Sequence, residues 1–532
     1  MKKKLTGVVL AVGIALVALT GCQTTGNQES SNAKLADSET SEAEKVLIVA
    51  QSTDCSTLDP VASNDIVEDS MFKHLFQTLC ARDRDMNVIP GLATEWETVT
   101  EDNLTWQFKL RENVKFHDGS TMTADDVVLS FDRYLGDEAG GNTSYALGCA
   151  LITKVERVDD YTVKITTSAP NPMLPNYLQE FPIISKTSYE DKTSEEVTAA
   201  PVGCGPYKLV EWVKGDHLTM ERFDDYYGEL PEAQKIIWRT IPEAETRLQE
   251  LNMGTVDIAE GLTPDMVSEV DTAVATATTV ETTRRMFVGF SYYGHPSLQK
   301  KEVRQALNYA LDFDAINEAF LFGQGSRLGT FVNEPFANEA VTPYPYDIEK
   351  AKSLMAEAGY TDTDGDGYLE DENGEEITYV VNSPNGKYTR DAEMVQSYCA
   401  NLEELGIHTS IQFYEWSVLN EKFLSFDVAD LWFRGHGSTC DGAGDLAQIV
   451  ADNGINYGKC DIPEFEKEWE ELNTLFDNDE RQAVLDEMQV TLKEDPPYVY
   501  FTKNMQIFGI SNKISWEPWS NERLIVFEAK WK

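Results

Sequence analysis

The residues most capable of covalent chemistry lie close together near the end of the chain. His436 and Cys440 are four residues apart and Asp441 follows directly, which offers on paper a base, a nucleophile and a carboxylate. Glycines surround all three, so a polar loop explains them better than a catalytic set. The sequence contains no GxxxxGK[ST], HExxH, CxxC or GxSxG motif. It therefore predicts a protein that is not an enzyme.

A run of alternating carboxylates forms a second candidate site. Asp362, Asp364 and Asp366 are spaced like the first ligands of a calcium loop, in which several oxygens converge on a hard cation. The twelfth position of that loop is Asn373, so the usual closing glutamate is missing. The segment Asp362–Asn373 is therefore either a structural calcium site or a polar turn between a helix and a strand. Neither interpretation requires a cofactor for function.

The histidines offer little to a transition metal in the sequence itself. The six histidines are His74, His117, His217, His295, His408 and His436. They are not clustered along the chain, although ligands that are distant in sequence can converge in space. A nickel site is for this reason only an alternative.

The element that must position the glycine-rich segment is a strand. The apolar run from Ala429 to Phe433 predicts a buried strand, and the loop after it is rich in glycine. In open α/β sheets ligands bind beyond the carboxyl ends of strands, so this loop is the first candidate for a pocket wall. The ligand-binding candidates are Trp432, Phe433, Arg434, His436, Asp441 and Asp445, together with Thr53 and Asp54 after the first strand.

The best-determined local structure lies between residues 104 and 135. Leu104 to Leu110 alternates apolar and polar residues as a half-buried strand does. Asp118 and Gly119 then predict a turn, and Thr123 with Asp126 predicts a capping box that opens an amphipathic helix. Strand and helix patterns continue to alternate along the chain, which favours α/β architecture. A first helix is predicted from about residue 66 to residue 79.

The N-terminal residues are typical of an export signal. Three lysines precede the apolar run Leu5–Thr20, whose 16 residues are fewer than the ~20 needed to span a membrane. The segment 23–44 is polar and has almost no large apolar side chain, which predicts a flexible tether. The formal net charge of −47 argues against binding to nucleic acid or to anionic lipid by the folded part.

Several motifs resemble one known family. The run TWQFKLRENVKFHDGSTMTADDVV resembles a signature of the solute-binding proteins of ABC importers, in the class that takes oligopeptides, dipeptides or nickel. The segments TLDP, LFQTLC and GLATEWE resemble the same class in the same order. The resemblance implies a two-lobe, type II periplasmic-binding-protein-like α/β fold. It implies a signal peptide at 1–21, a tether at 22–44, lobe I at 45–87, 201–283 and 500–532, an inserted subdomain at 88–200, and lobe II at 284–499.

The resemblance also implies a function and an anchor. Peptides, or other small molecules, would bind between the lobes and pass to ABC permease and ATPase subunits, with the protein acting as a monomer. The ending Leu-Thr-Gly-Cys resembles a lipobox, which implies acylation of Cys22 and a place on the outer face of the plasma membrane or in the periplasm. In peptide-binding relatives a Trp of the late strand lines the groove, and an Asp three residues later binds the ligand's amine. Trp432 matches, but the Asp position falls on Gly435.

Two alternatives stay open at this point. The ligand could be a non-peptide, such as an oligosaccharide or a nickel complex. The same fold could also serve a surface peptide receptor or a chaperone-like module that takes no part in transport.

Overall fold

The computed structural model describes residues 44–532, except 64, 137–150, 438–441 and 452–453. The predicted signal peptide and Cys22 lie outside the described residues, as does the tether up to residue 43. Cys440 and Asp441 of the late loop also lie outside them.

The described residues form the following elements. The strands are β1 (Val46–Gln51), β2 (Gln77–Thr78), β3 (Cys80–Arg82), β4 (Val88–Pro90), β5 (Ala93–Thr98), β6 (Thr105–Leu110), β7 (Ile152–Asp159), β8 (Thr162–Thr167), β9 (Pro182–Ile183), β10 (Tyr207–Val213), β11 (His217–Arg222), β12 (Lys235–Thr240), β13 (Ile258–Ala259), β14 (Ala275–Phe290), β15 (Thr378–Pro384), β16 (His408–Tyr414), β17 (Leu431–His436), β18 (Tyr498–Ser511), β19 (Ile514–Ser515) and β20 (Lys530–Trp531). The α-helices are α1 (Ile66–Leu75), α2 (Ala124–Leu135), α3 (Leu174–Tyr177), α4 (Lys186–Tyr189), α5 (Ser194–Ala199), α6 (Ala244–Asn252), α7 (Lys301–Tyr309), α8 (Phe313–Phe320), α9 (Ile348–Glu357), α10 (Asp391–Leu405), α11 (Trp416–Leu424), α12 (Ala443–Leu446), α13 (Pro463–Leu472) and α14 (Asn478–Glu494). Short 3₁₀ helices occupy Pro264–Glu269, Pro296–Gln299 and Ala447–Ile449.

One ten-stranded sheet runs through both segments that are predicted to be lobes I and II. Its strand order is β10-β11-β12-β1-β13-β18-β14-β17-β15-β16. In lobe I, β1 pairs in parallel with β12 and β13, and in lobe II, β15 pairs in parallel with β16 and β17. Parallel strands need helical crossovers, which explains why helices cover both faces.

The long antiparallel pair β14 and β18 connects the two lobes. β14 has 16 residues and β18 has 14, and the lobe I half of β18 pairs with β13 while the lobe II half of β14 pairs with β17. The ladder between them shifts register between Glu281 and Arg285. Because a register shift disrupts the ladder and bends the strand, we expect these few residues to act as the hinge between the predicted lobes.

The apolar core is divided in the same way. Lobe I has its own cluster, which includes Trp238, and lobe II has one cluster on each face of its sheet. A further cluster surrounds the antiparallel sheet β5-β6-β8-β7 and extends beyond residues 88–200 to Leu79 and Cys204. The domain boundaries given above stay a prediction.

Local predictions agree with the structure where the signal is local. The strand before residue 110 is β6, and Thr123 and Asp126 form the expected capping box at the start of α2. The prediction of a first helix up to residue 79 is wrong. α1 ends at Leu75, because the Leu75 carbonyl accepts a 3.0 Å hydrogen bond from the Gly205 backbone N–H and the chain then continues as an extended segment.

The late strand is also longer than predicted. β17 continues through Gly435 to His436, because residues 431–436 pair with β14 along their whole length. Arg434 and His436 therefore belong to a strand and not to the glycine-rich loop. Their side chains therefore point in the directions that the pleat of the strand sets.

Candidate functional site

The candidate site is built on the last three alternate positions of β17. Successive strand residues point to opposite faces, so Trp432, Arg434 and His436 share one face of the sheet. His436 lies opposite Arg285 of β14, and Arg434 lies opposite Phe287. We call Trp432, Arg434 and His436 the β17 strip.

Trp432 lies in the lobe II core and does not line an open groove. Its side chain is 1% exposed, and its ring packs edge-to-face against Phe287 and Phe423 at 5.6 and 5.3 Å. It also covers Gly289, where a Cβ would come within 2.2 Å of the indole. The indole Nε1 is buried and has no acceptor among the described residues.

This placement removes the basis for locating an amine site at Gly435. The expected Asp position was found by counting three residues from a tryptophan that lines the groove. Trp432 is a core residue, so that count does not locate an amine site. Gly435 has a packing reason of its own, because a Cβ there would lie 2.7 Å from the Met286 sulfur and 2.8 Å from the Arg284 Cδ. The identity of residue 435 therefore says nothing about amine recognition.

Phe433 points to the opposite face of the sheet. It is fully buried and packs edge-to-face against Phe501 at 5.5 Å, among the residues under the lobe II helices. The structure thus gives Phe433 a core role, because its neighbours in β17 take the other face.

Arg434 lies over a pair of aromatic rings, Phe423 and Tyr457, which pack against each other at 5.0 Å. Its guanidinium carbon lies 4.9 Å from the ring centres of both Phe423 and Tyr457. Nε and Nη1 are shielded from solvent and have no acceptor among residues that the structure describes, although the residue as a whole is partly exposed. A flat guanidinium fixed in this way presents a rigid edge of donors.

His436 is surrounded by positive charge. Burial lowers the pKa of His436 well below its usual value, and Arg285, Arg434 and Arg284 lower it further. An imidazole whose pKa is lowered in this way stays neutral and accepts a proton poorly. The Cys440 that would be its nucleophile lies outside the described residues, and so does Asp441.

Asp445 forms an ion pair deep in lobe II. Its carboxylate lies 2.9 Å from Nη2 of Arg285, and both side chains are fully buried. The second oxygen accepts a 3.2 Å hydrogen bond from the backbone N–H of Asn333. The structure therefore uses Asp445 to neutralise Arg285, which explains why it is not free to bind a ligand charge.

The neighbouring Arg284 is neutralised from lobe I. Glu522 accepts from Nε of Arg284 at 2.8 and 3.0 Å, and also from Thr282 and Asn504. Burial raises the pKa of Glu522, but Arg284 and these hydrogen bonds outweigh it and hold the pKa below its usual value. Neither Arg284 nor Arg285 is among the site residues predicted from the sequence. The feature of the sequence that could have pointed to them is a pair of adjacent arginines within a run that has the pattern of a strand.

The two lobe I candidates differ in their availability. Thr53 follows β1 and is exposed. Asp54 accepts hydrogen bonds from the Trp212 indole at 3.1 Å and from the Gly215 backbone N–H at 2.7 Å. Asp54 thus fixes the turn between β10 and β11, whereas the Thr53 side chain has no hydrogen-bond partner among the residues that the structure describes.

The acidic loop brings together a different set from the predicted one. Oxygens of Asp362, Asp364 and Glu370 lie within 4.8 Å of one another, whereas Asp366 is not part of this group. Asp362 also accepts backbone hydrogen bonds from Gly365 and Gly367, as a polar turn would. The three carboxylates fit a hard cation in type and spacing, and calcium binding stays a prediction.

Besides the Arg284–Glu522 pair at the hinge, two contacts join the predicted lobes on either side of it. Arg390 at the start of α10 lies 2.7 Å from Asp265 of lobe I. The Phe476 ring lies 6.5 Å from Trp106 of the inserted subdomain and packs against that subdomain's core. The described conformation is therefore one in which lobe II touches both other parts.

The matching family agrees with this architecture. Residues 87–456 match the family described as "Bacterial extracellular solute-binding proteins, family 5 Middle". The chain belongs to this family. It is a family 5 solute-binding protein of the kind that serves ABC importers.

Individual relatives support the family 5 assignment over most of the chain. The dipeptide-binding protein of Escherichia coli K12 is 29% identical over 444 residues, which cover 77% of this chain and 80% of the relative. The oligopeptide-binding protein AppA of Bacillus subtilis is 25% identical over 520 residues, 94% of each chain. These relatives are binding proteins and not enzymes, as predicted.

The solved structures confirm the predicted type II fold. The crystal structure of NikA from Brucella suis in complex with Fe(III)-EDTA has a TM-score of 0.81 at 22% identity, and covers 92% of this chain and 100% of that one. Within the described part of the family 5 chain, no helix combines the length and the apolar character needed to cross a membrane.

Proposed function

We propose that this protein captures di- or oligopeptides between its lobes and delivers them to the permease and ATPase subunits of an ABC importer. The named ligands of its relatives support peptides, since the E. coli relative is a dipeptide-binding protein and AppA an oligopeptide-binding protein. An oligosaccharide or a nickel complex is the alternative cargo.

The observation that carries this proposal is the pair of continuous strands through both lobes. β14 and β18 are single elements, and their ladder is interrupted only near residues 282–287. Each lobe has its own core, so each moves as a rigid body about that short segment. A ligand that touches both lobes stabilises the closed form to the extent that it binds that form better.

The contacts between the lobes determine how much binding free energy a ligand must supply to favour the closed form. The Arg390–Asp265 pair is partly exposed, and the contact between Phe476 and Trp106 is a single aromatic pair. Partly exposed ion pairs contribute little, about 0–1 kcal/mol, so the contacts away from the hinge hold the two lobes together only weakly. Binding energy of a few kcal/mol is then enough to shift the population towards closure.

The proposal includes a lipid anchor at Cys22. Acylation there would tie the folded part to the outer face of the membrane through the polar residues 23–44. The test is mass spectrometry of the N-terminal peptide from membranes, with Cys22→Ala as the comparison. An unmodified Cys22, or equal release of both forms into the medium, would contradict the anchor.

Solute capture is tested by scattering and calorimetry together. We expect tripeptides to bind with micromolar or tighter affinity, and bound peptide to reduce the radius of gyration. The same titration with oligosaccharides and with nickel–histidine serves as the comparison. If one of these binds and peptides do not, the cargo is corrected. If the protein hydrolyses what it binds, solute delivery is refuted.

A further inference from the structure

The register shift of β14 leaves three residues outside the ladder. β14 pairs with β18 up to Glu281 and again from Arg285, and between these positions residues 282–284 lie opposite only Asn504. Extra residues in a strand are not paired by the neighbouring strand, so their polar groups need other partners. The conformation of this part of the expected hinge therefore depends on the groups that supply those partners.

The partners come from the C-terminal segment, by which we mean residues 516–529. The backbone N–H of Thr283 donates a 2.7 Å hydrogen bond to the carbonyl of Ser520. The carboxylate of Glu522, whose side chain is 5% exposed, accepts hydrogen bonds from three side chains on the two hinge strands. These are Thr282 at 3.2 Å and Arg284 at 2.8 Å on β14, and Asn504 at 2.9 Å on β18. One buried carboxylate thus connects the two strands where their ladder is interrupted.

Glu522 has a backbone conformation that glutamate rarely adopts. Its φ angle is +67°, in the left-handed region where the Cβ crowds the backbone. Residues in this region persist only where the surrounding contacts hold them, and they are frequent at functional positions. The two neighbouring side chains bind in different places, since Glu522 contacts the hinge whereas Arg523 lies 2.6 Å from Asp69 of α1 and 3.3 Å from Glu180.

The C-terminal segment is itself fixed to α1, in the part of the chain predicted to be lobe I. The backbone N–H of Leu524 donates to the Ser70 hydroxyl at 3.0 Å. The next contact is made by Val526, whose backbone N–H donates to the ring of the fully buried His74 at 3.2 Å. Together with the ion pairs of Arg523, these bonds attach Glu522 firmly to a buried helix. The hinge is therefore held against the body of lobe I by its own C-terminal segment.

We propose that Glu522 is a positioning residue for solute capture and that it holds the hinge in the arrangement in which the lobes touch. This inference rests on the proposed capture, because it concerns the closure that capture requires. The three donors belong to two strands, and bending of the interrupted ladder moves these donors relative to one another and disrupts the set. In the described conformation the set is complete, and the lobes touch through Arg390 with Asp265 and through Phe476 with Trp106.

The first test measures the hinge without any ligand. Glu522→Gln keeps the shape of the side chain but loses the ion pair with Arg284. We expect a larger radius of gyration in solution scattering, and hydrogen exchange about 10-fold faster at residues 282–285, as the loss of a charge-assisted hydrogen bond predicts. Glu528→Gln is the matched control, because Glu528 lies in the same segment and pairs with Arg84 at the surface. It should change neither measurement.

A double variant separates positioning from stability. Glu522→Gln combined with Arg284→Gln removes the charge that the single variant leaves unpaired, so it should recover part of the urea midpoint. It does not restore the contact between the two strands, so the larger radius should remain. The dissociation constant for Ala-Ala-Ala should rise about 10-fold in both variants, because the apparent affinity falls with the fraction of molecules in the binding-competent form.

The possible results distinguish this role from solute capture. If wild type and Glu522→Gln have equal radii and equal exchange, even with different stabilities, the positioning role is overturned and solute capture stands. A smaller radius for the variant also overturns it, because the contact would then favour the open form. An equal change in Glu528→Gln would remove the assignment to Glu522. A larger radius for Glu522→Gln, with no binding of Ala-Ala-Ala by wild type, supports the role of Glu522 and counts against peptides as the cargo.

Discussion

Replacing Asp445 by Asn should destabilise lobe II far more than a typical substitution does. The change preserves shape and the hydrogen bond from Asn333, but it leaves Arg285 charged in a site where both partners are fully buried. At 2.9 Å and an effective dielectric constant of ~20, the attraction lost is about 6 kcal/mol. Because removal of one partner from a buried pair is known to cost about 3–5 kcal/mol, we expect a loss in that range.

Urea denaturation measures this loss, and hydrogen exchange of lobe II amides assigns the transition to that lobe. A double variant, Asp445→Asn with Arg285→Met, removes the stranded charge and should recover at least half of the lost free energy. Glu464→Gln is the control, because it breaks the exposed pair with Lys467 and should have no measurable effect. A cost below about 1 kcal/mol, or single-variant costs that simply add, would refute the reasoning.

Four further predictions follow from single contacts. Burial lowers the pKa of His74 to about 4, so as the pH falls this histidine is protonated in the unfolded chain before it is protonated in the folded one. The free energy of unfolding should therefore fall by about 3 kcal/mol between pH 6.5 and 4. Denaturation across that range should show a smaller fall in His74→Gln; equal slopes would contradict it. Glu522→Gln should cost roughly 1.5–3 kcal/mol through its lost ion pair, and an unchanged urea midpoint would show that this hinge pair is not stabilising. Calorimetry should detect calcium binding at millimolar concentration that Asp364→Asn abolishes, whereas no heat up to about 10 mM would leave the loop a polar turn. Gly435→Asp should lower stability, because its Cβ would meet the Met286 sulfur at 2.7 Å, and should not increase discrimination between free-amine and N-acetylated peptides in a thermal-shift assay.

The sequence predicted those features whose cause lies within about ten residues. The alternation in β6 and the pairing of Thr123 with Asp126 are local, and the structure confirms both. Type II architecture came from the family resemblance and not from these patterns.

The sequence could not predict which side chains would pack on each face of β17. Trp432 is a core residue because Phe287, Tyr457 and Tyr498 cover its face, and all three are distant in sequence. The same distance hid the role of Arg285, since its partner Asp445 is 160 positions away. An aromatic residue near the end of a strand has the same pattern whether it lines a groove or closes a core.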